Sequence, residues 1–255
     1  MTRRKFVPAL AAGGVLISRA QSKTPAIYEI RTIYLHNTPD NEAGRARDFL
    51  QHVGLPALER AGIGPAGIFS PLIGADTPFL VTIVSYPSLA GMEQQRAALM
   101  ADAEYTKGLA AYNAQPASAH PRIDIMLGRA FATMPAIEMP DVKSGHIFEL
   151  RRYESNTAAT LARKSKMFES GEIAIFRRLG MNPVFFAETI VGPHMPNLTY
   201  MLSFADLASR EKCWKAFGAD PEWQKMRSAP GNSDAEIVSN ISNWILAPLP
   251  FSPIR

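Results

Sequence analysis

The stretch SFADLASREKCWKAFGADPEW, residues 203–223, lies without a gap over SYPSLAGMEQQRAALMADAEY, residues 85–105. Eight aligned positions are identical, Asp102 over Asp220 and Glu104 over Glu222 among them, too many in one register for chance. The same offset of 118 residues places Arg60 over Arg178, Gly62 over Gly180, Pro65 over Pro183 and Gly74 over Gly192. Farther upstream the offset becomes 120, with Tyr28-Glu29-Ile30-Arg31 over Phe148-Glu149-Leu150-Arg151. One unit is written twice, and a repeat of this length constrains architecture before local structure is considered.

Each unit reads in the same order. IYEIRTIYL and IFELRRYES alternate and are rich in β-formers, and helical spacing follows from about Asn41 to Ala61 and from Asn156 to Leu179. Leu161, Phe168 and Ile175 recur every seven residues to form one apolar stripe, and Gly62 and Gly180 stand where helices stop. Two short apolar runs come next, 66–73 and 79–86 in the first unit and 184–191 and 198–204 in the second. A helix from about Leu89 or Leu207 follows, then a strand near 123–128 or 237–246. Asp220-Pro221-Glu222-Trp223 reads as an N-cap, a proline at N1, an acid in the first turn and an aromatic plug, an architectural phrase rather than a catalytic one.

The expected fold is therefore α+β, with two tandem ferredoxin-like (βαββαβ) units. The boundaries are a signal peptide over 1–22, a first domain over 26–131, a linker over 132–145 containing Pro135 and Pro140, and a second domain over 146–250.

The N-terminal segment carries Arg3 and Arg4 ahead of an apolar run too short to span a bilayer, which takes about 20 residues. Cleavage is expected after Ala20. Thr2-Arg3-Arg4-Lys5-Phe6-Val7 resembles the bacterial twin-arginine signal, which implies export of a folded protein to the periplasm or beyond. Removing this segment takes the formal charge from +4 to zero, leaving 23 basic and 23 acidic residues. Charge thus gives no support to a nucleic-acid partner, and the mature chain is expected to have no transmembrane segment. Cys213 is the only cysteine, so no intrachain disulfide can form.

The second copy, from FELRRYES through FRRLGMNPV, LTYMLSFADLASRE and DPEWQKMR, resembles the NIPSNAP domain over nearly its whole length, and the first copy resembles it more weakly. The resemblance implies the dimeric α/β-barrel superfamily, in which two four-stranded sheets pair face to face. A tandem chain would supply both halves of this pseudo-dimer itself. The family offers no agreed catalytic signature to carry over.

Strand alternation separates Tyr28, Ile30 and Thr32 from Glu29 and Arg31, with Glu149 and Arg151 equivalent to the latter pair. If the apolar set meets the helices, an acid and a base from each half point into the barrel, where buried charge must be paired or ligated. Glu29, Arg31, Glu149 and Arg151 are thus the pocket candidates, with hydroxyls from Tyr34, Tyr153 and Tyr200. The competing interpretation is two structural ion pairs that fix register. His36, His52, His120, His146 and His194 form no ligand-spaced pair, so no metal site is expected. A phosphate loop and a Gly-x-Ser-x-Gly elbow are both missing, and no cofactor is expected.

Three function classes follow: a module binding an unknown small molecule or protein, a cofactor-independent oxygenase or isomerase of the barrel type, and a haem protein. The last would need an axial histidine such as His194. Association of two chains into a homo-oligomer through their outer helices is left open.

Overall fold

Residues 24–37, 39–114, 122–140 and 146–255 are described by a computed structural model of the chain. The signal segment with Arg3, Arg4 and Ala20, His120, and positions 141–145 of the linker lie outside these residues.

The first half runs β1 (Ile27–Tyr34), α1 (Glu42–Phe49), a π-helical turn (Leu50–Gly54), α2 (Leu55–Arg60), β2 (Ala66–Ile73), β3 (Phe79–Tyr86), α3 (Leu89–Ala101), α4 (Ala103–Asn113) and β4 (Ile123–Ala130). The second half repeats this order: β5 (Ile147–Glu154), α5 (Ala158–Met167), a π-helical turn (Phe168–Glu172), α6 (Ile173–Arg178), β6 (Asn182–Val191) and β7 (Asn197–Phe204). It continues through α7 (Leu207–Ala219) and α8 (Pro221–Arg227), adds a short α9 (Asp234–Ile237), and ends in β8 (Asn240–Pro248). Ile237, read from the sequence as the start of the last strand, closes α9 instead, where Ser233 and Glu236 form a capping box.

Repeated residues make repeated joints. Asp102 accepts from the Tyr105 amide at 2.9 Å, and Asp220 accepts from the Trp223 amide at 3.1 Å, so each N-caps the second helix of a pair. The same two aspartates hold Arg60 at 2.6 Å and Arg178 at 2.7 Å, tying each helix pair to the helix before it. Gly62 and Gly180 have φ of 69° and 75°, the left-handed geometry that glycine adopts without penalty where a helix ends.

Every strand pair is antiparallel, and the strands close into a barrel in the order β1-β3-β2-β8-β5-β7-β6-β4. The two sheets face each other across the interior, as expected, and are also joined at both edges, β2 to β8 and β4 to β6. Closure gives every strand among the described residues a neighbour on both sides. One end is plugged from outside the strands: the Ala26 amide donates to the Pro135 carbonyl at 2.9 Å, and Ser252 Oγ accepts from the Ile68 amide at 2.9 Å, which brings Ile254 into the core.

Tyr28, Ile30, Phe69, Phe148, Phe185, Met201 and Leu246 fill the barrel interior. A second core lies between the second sheet and its helices, where Phe168, Phe176, Phe186, Tyr200, Phe217 and Trp223 are buried. The first half has Leu50, Leu58, Ile68, Thr82, Leu99 and Tyr105 at the matching positions, and neither α3 nor α4 buries a residue completely. Fully burying one large apolar side chain stabilises by about 1.5–3 kcal/mol, so the second half holds the stronger helix layer.

Candidate functional site

The expectation that the apolar side of β1 and β5 meets the helices is overturned. Tyr28, Ile30, Phe148 and Leu150 point into the barrel, while Glu29, Arg31, Glu149 and Arg151 face the helix layer. The physical reason is the supply of partners. Strand backbone groups are committed to the ladder, so the barrel interior has little to offer a charge, whereas the helices bring side chains that do.

Glu149, with no exposed surface, accepts from Arg151 at 2.7 Å, Arg210 Nε at 2.8 Å and Trp214 Nε1 at 2.7 Å, and from Asn243 at 3.3 Å. Burial alone would raise its pKa, but the Arg210, Arg151 and Trp214 contacts hold the carboxyl below its usual range. Arg151 reaches the Tyr153 hydroxyl at 3.2 Å, and Tyr200 donates to that hydroxyl at 3.0 Å. Burial and the adjoining Tyr153 push the Tyr200 hydroxyl well above its ordinary value. In the first half, Glu29 is held by Arg31, by the Tyr86 hydroxyl at 3.3 Å and by Arg96 at 3.7 Å. Six of the seven candidates thus form two internal clusters closed by helix residues.

Tyr34 belongs elsewhere. It lies on the interior side of β1 at the end opposite the plug, where a cavity of about 100 Å³ opens beside the turn at Pro193 and His194, whose counterpart in the first half is the turn at Asp76. These turns are repeats of one another: Asp76 and His194 are left-handed with φ of 59° and 60°, and each is followed two residues later by a proline in a cis peptide. Gly192 lets the second turn approach β4 closely, since a Cβ there would lie 3.2 Å from the Met126 backbone.

The cavity floor is apolar, with Ile30, Met126, Leu150 and Trp244. Its rim is charged. Tyr34 donates to Asp124 at 3.2 Å, and the Arg122 guanidinium lies 3.9 Å from the centre of the Tyr34 ring. Across the opening Arg152 Nε and His194 Nδ1 each stand 3.6 Å from Glu154, and the Arg152 guanidinium lies 5.4 Å from the Trp244 ring centre. Arg152 Nε is buried and has no hydrogen-bond acceptor among the described residues. Burial lowers the Arg152 pKa against the opposing pull of Glu154, Tyr34 and Asp124, which places those three anionic or acidic groups within electrostatic reach of it. Burial and Asp124 raise the Tyr34 hydroxyl.

Sequence reasoning missed Asp124, Arg152 and His194 as a group. Arg152 was legible as the interior neighbour of Arg151 once the interior side was known, but Asp124 and His194 come from segments with no motif around them. Among the described residues no three His, Cys, Asp or Glu side chains gather as a metal site, and no helix is long and apolar enough to cross a membrane.

The barrel architecture is shared with two solved proteins provisionally assigned as monooxygenases. One is from Fusobacterium nucleatum, with a TM-score of 0.56 at 6% identity, covering 89% of this chain and 93% of that one. The other is from Lactobacillus acidophilus, with a TM-score of 0.55 at 10% identity, covering 88% and 94%. A NIPSNAP-like domain protein from Burkholderia xenovorans is 28% identical over 43% of this chain and 90% of its own, with a TM-score of 0.37. No curated protein matches the chain. The NIPSNAP family profile matches twice, over residues 28–123 and 148–253, and on that coverage the chain belongs to the NIPSNAP family, with two copies of its domain.

Proposed function

We propose that this chain is an exported small-ligand-binding protein whose two ferredoxin-like units, 26–131 and 146–250, build one barrel and take the ligand at its open mouth. The observation that carries the reading is the contrast inside the barrel: an apolar, plugged interior ends in a cavity rimmed by Tyr34, Asp124, Arg152 and His194. Cavities that bind small molecules combine apolar walls with a few converging polar groups.

Size favours a small ligand. Ligand pockets typically span about 300–1,000 Å³, and a cavity of about 100 Å³ lies below that range. His194 stands at its mouth. An isomerase acting on a molecule small enough for the cavity would share the same mouth.

Two measurements test the proposal. The three tryptophan indole signals of the protein resolve Trp244 from Trp214 and Trp223 by NMR, and a library of small polar compounds is expected to shift Trp244 alone. A library that leaves Trp244 unmoved removes the binding reading. For export, Arg3→Lys with Arg4→Lys is expected to keep the precursor in the cytoplasm of a host with twin-arginine transport, and undiminished periplasmic protein would overturn that part.

A further inference from the structure

The two copies have diverged where the cavity begins. Repeat alignment places Thr32 of the first copy at Arg152 of the second, Asp124 at Ser242, and Val81 at Thr199. The register makes these one layer: Thr32 pairs with Asp124 and Val81, and Arg152 pairs with Ser242 and Thr199. A symmetric barrel would show the same residues on both walls. This one shows an acid on the first-copy wall and a base on the second-copy wall, a polarity that two identical copies cannot create.

Resting on the mouth-cavity reading, we propose that the site binds the zwitterion of a small α-amino acid, its carboxylate on Arg152 and its ammonium on Asp124. Arg152 lines the cavity, its buried Nε makes no hydrogen bond among the described residues and has Glu154 only at 3.6 Å, and guanidinium is the side chain best shaped for a carboxylate. Asp124 accepts one bond, from Tyr34, and an ionised carboxylate can accept several. Charge decides between ligand classes. Of the residues that line the cavity, Asp124 and Arg152 carry one charge of each sign, with Tyr34 and His194 the other titratable groups, while Arg122 stands 3.9 Å from Asp76 and Arg152 3.6 Å from Glu154 behind them. A ligand with no net charge enters such a site without leaving a charge unpaired, whereas a bare carboxylate or a bare amine would. Volume limits the size: a cavity of about 100 Å³ above Ile30, Leu150 and Trp244 takes a small ligand only.

The test is titration of the Trp244 indole signal with glycine, L-alanine, lactate, propionate and ethylamine. Glycine or alanine is expected to bind at least tenfold more tightly than propionate, lactate or ethylamine. Arg152→Met and Asp124→Asn are each expected to weaken that binding tenfold or more, with Arg152→Lys intermediate. Unchanged Trp214 and Trp223 signals report that the variants are folded. Propionate binding as well as alanine, or Asp124→Asn leaving alanine binding unchanged, overturns the zwitterion assignment. A neutral polar compound that shifts Trp244 when no amino acid does leaves the mouth-cavity reading standing and removes this one. Silence from all compounds removes both.

Discussion

Glu149 shows what one residue does when its strand has two buried faces. It carries a full charge with no exposure because Arg151, Arg210, Trp214 and Asn243 all donate to it. Its folded pKa lies below the ordinary carboxylate value, so its stabilisation is complete above that value and is lost as pH falls through the depressed one. Glu149→Gln leaves Arg151 and Arg210 without their counter-charge, and we expect a loss of about 3–5 kcal/mol near neutral pH. The gap between variant and parent should narrow in acid, once pH falls through the depressed folded value and the parent carboxylate protonates. Urea unfolding at neutral and at acid pH checks both, and a constant gap would show that charge is not the source. The Glu-Arg alternation was legible in the sequence. Which side of the strand it occupied was not, because alternation gives parity while the facing partners come from α7, some 60 residues away.

At the scale of elements, π-helical turns interrupt the first helix of each unit at equivalent positions in the two halves. π turns insert an extra residue into a helical turn and tend to sit at special sites. In the second half the turn carries Glu172, which meets Lys164 at 3.0 Å under the rings of Tyr153, Phe168 and Trp223, both side chains almost fully buried. Burial raises the Glu172 pKa, with Lys164 opposing the rise. The first copy has Ala46 and Gly54 at these positions, so the pair is not required by the unit's architecture. Lys164→Ala or Glu172→Ala alone, each leaving one buried charge unpartnered, is expected to cost about 3–5 kcal/mol. The double substitution should cost less than the sum, with a coupling of at least ~1 kcal/mol by a double-mutant cycle. Additive single effects would mean that the ion pair contributes nothing beyond packing. The seven-residue stripe through Leu161, Phe168 and Ile175 located this buried face from the sequence, and all three are buried. The turn itself was not legible, since a π turn changes hydrogen bonding without leaving a composition signature.

For the molecule as a whole, duplication was the strongest signal the sequence held, and it yielded the order of elements in both halves. The closing of the barrel was implied by family resemblance and not by any residue pattern. The seams β2–β8 and β4–β6 are backbone pairings between distant segments, and the plug at Ile254 lies beyond the boundary drawn for the second domain. Those seams make a prediction about the linker. If the halves are held by strand pairing and by the shared interior core of Phe69, Phe148 and Leu246, the covalent connection between them is dispensable after folding. A protease site placed within 141–145 and cut in the folded protein should leave the two fragments together at micromolar concentration. Native mass spectrometry is expected to show one species of the combined mass, with separation only when denaturant unfolds the barrel. Fragments that part on cutting would show that the linker, rather than the two seams, holds the barrel closed, because tethering raises the effective concentration of one half around the other.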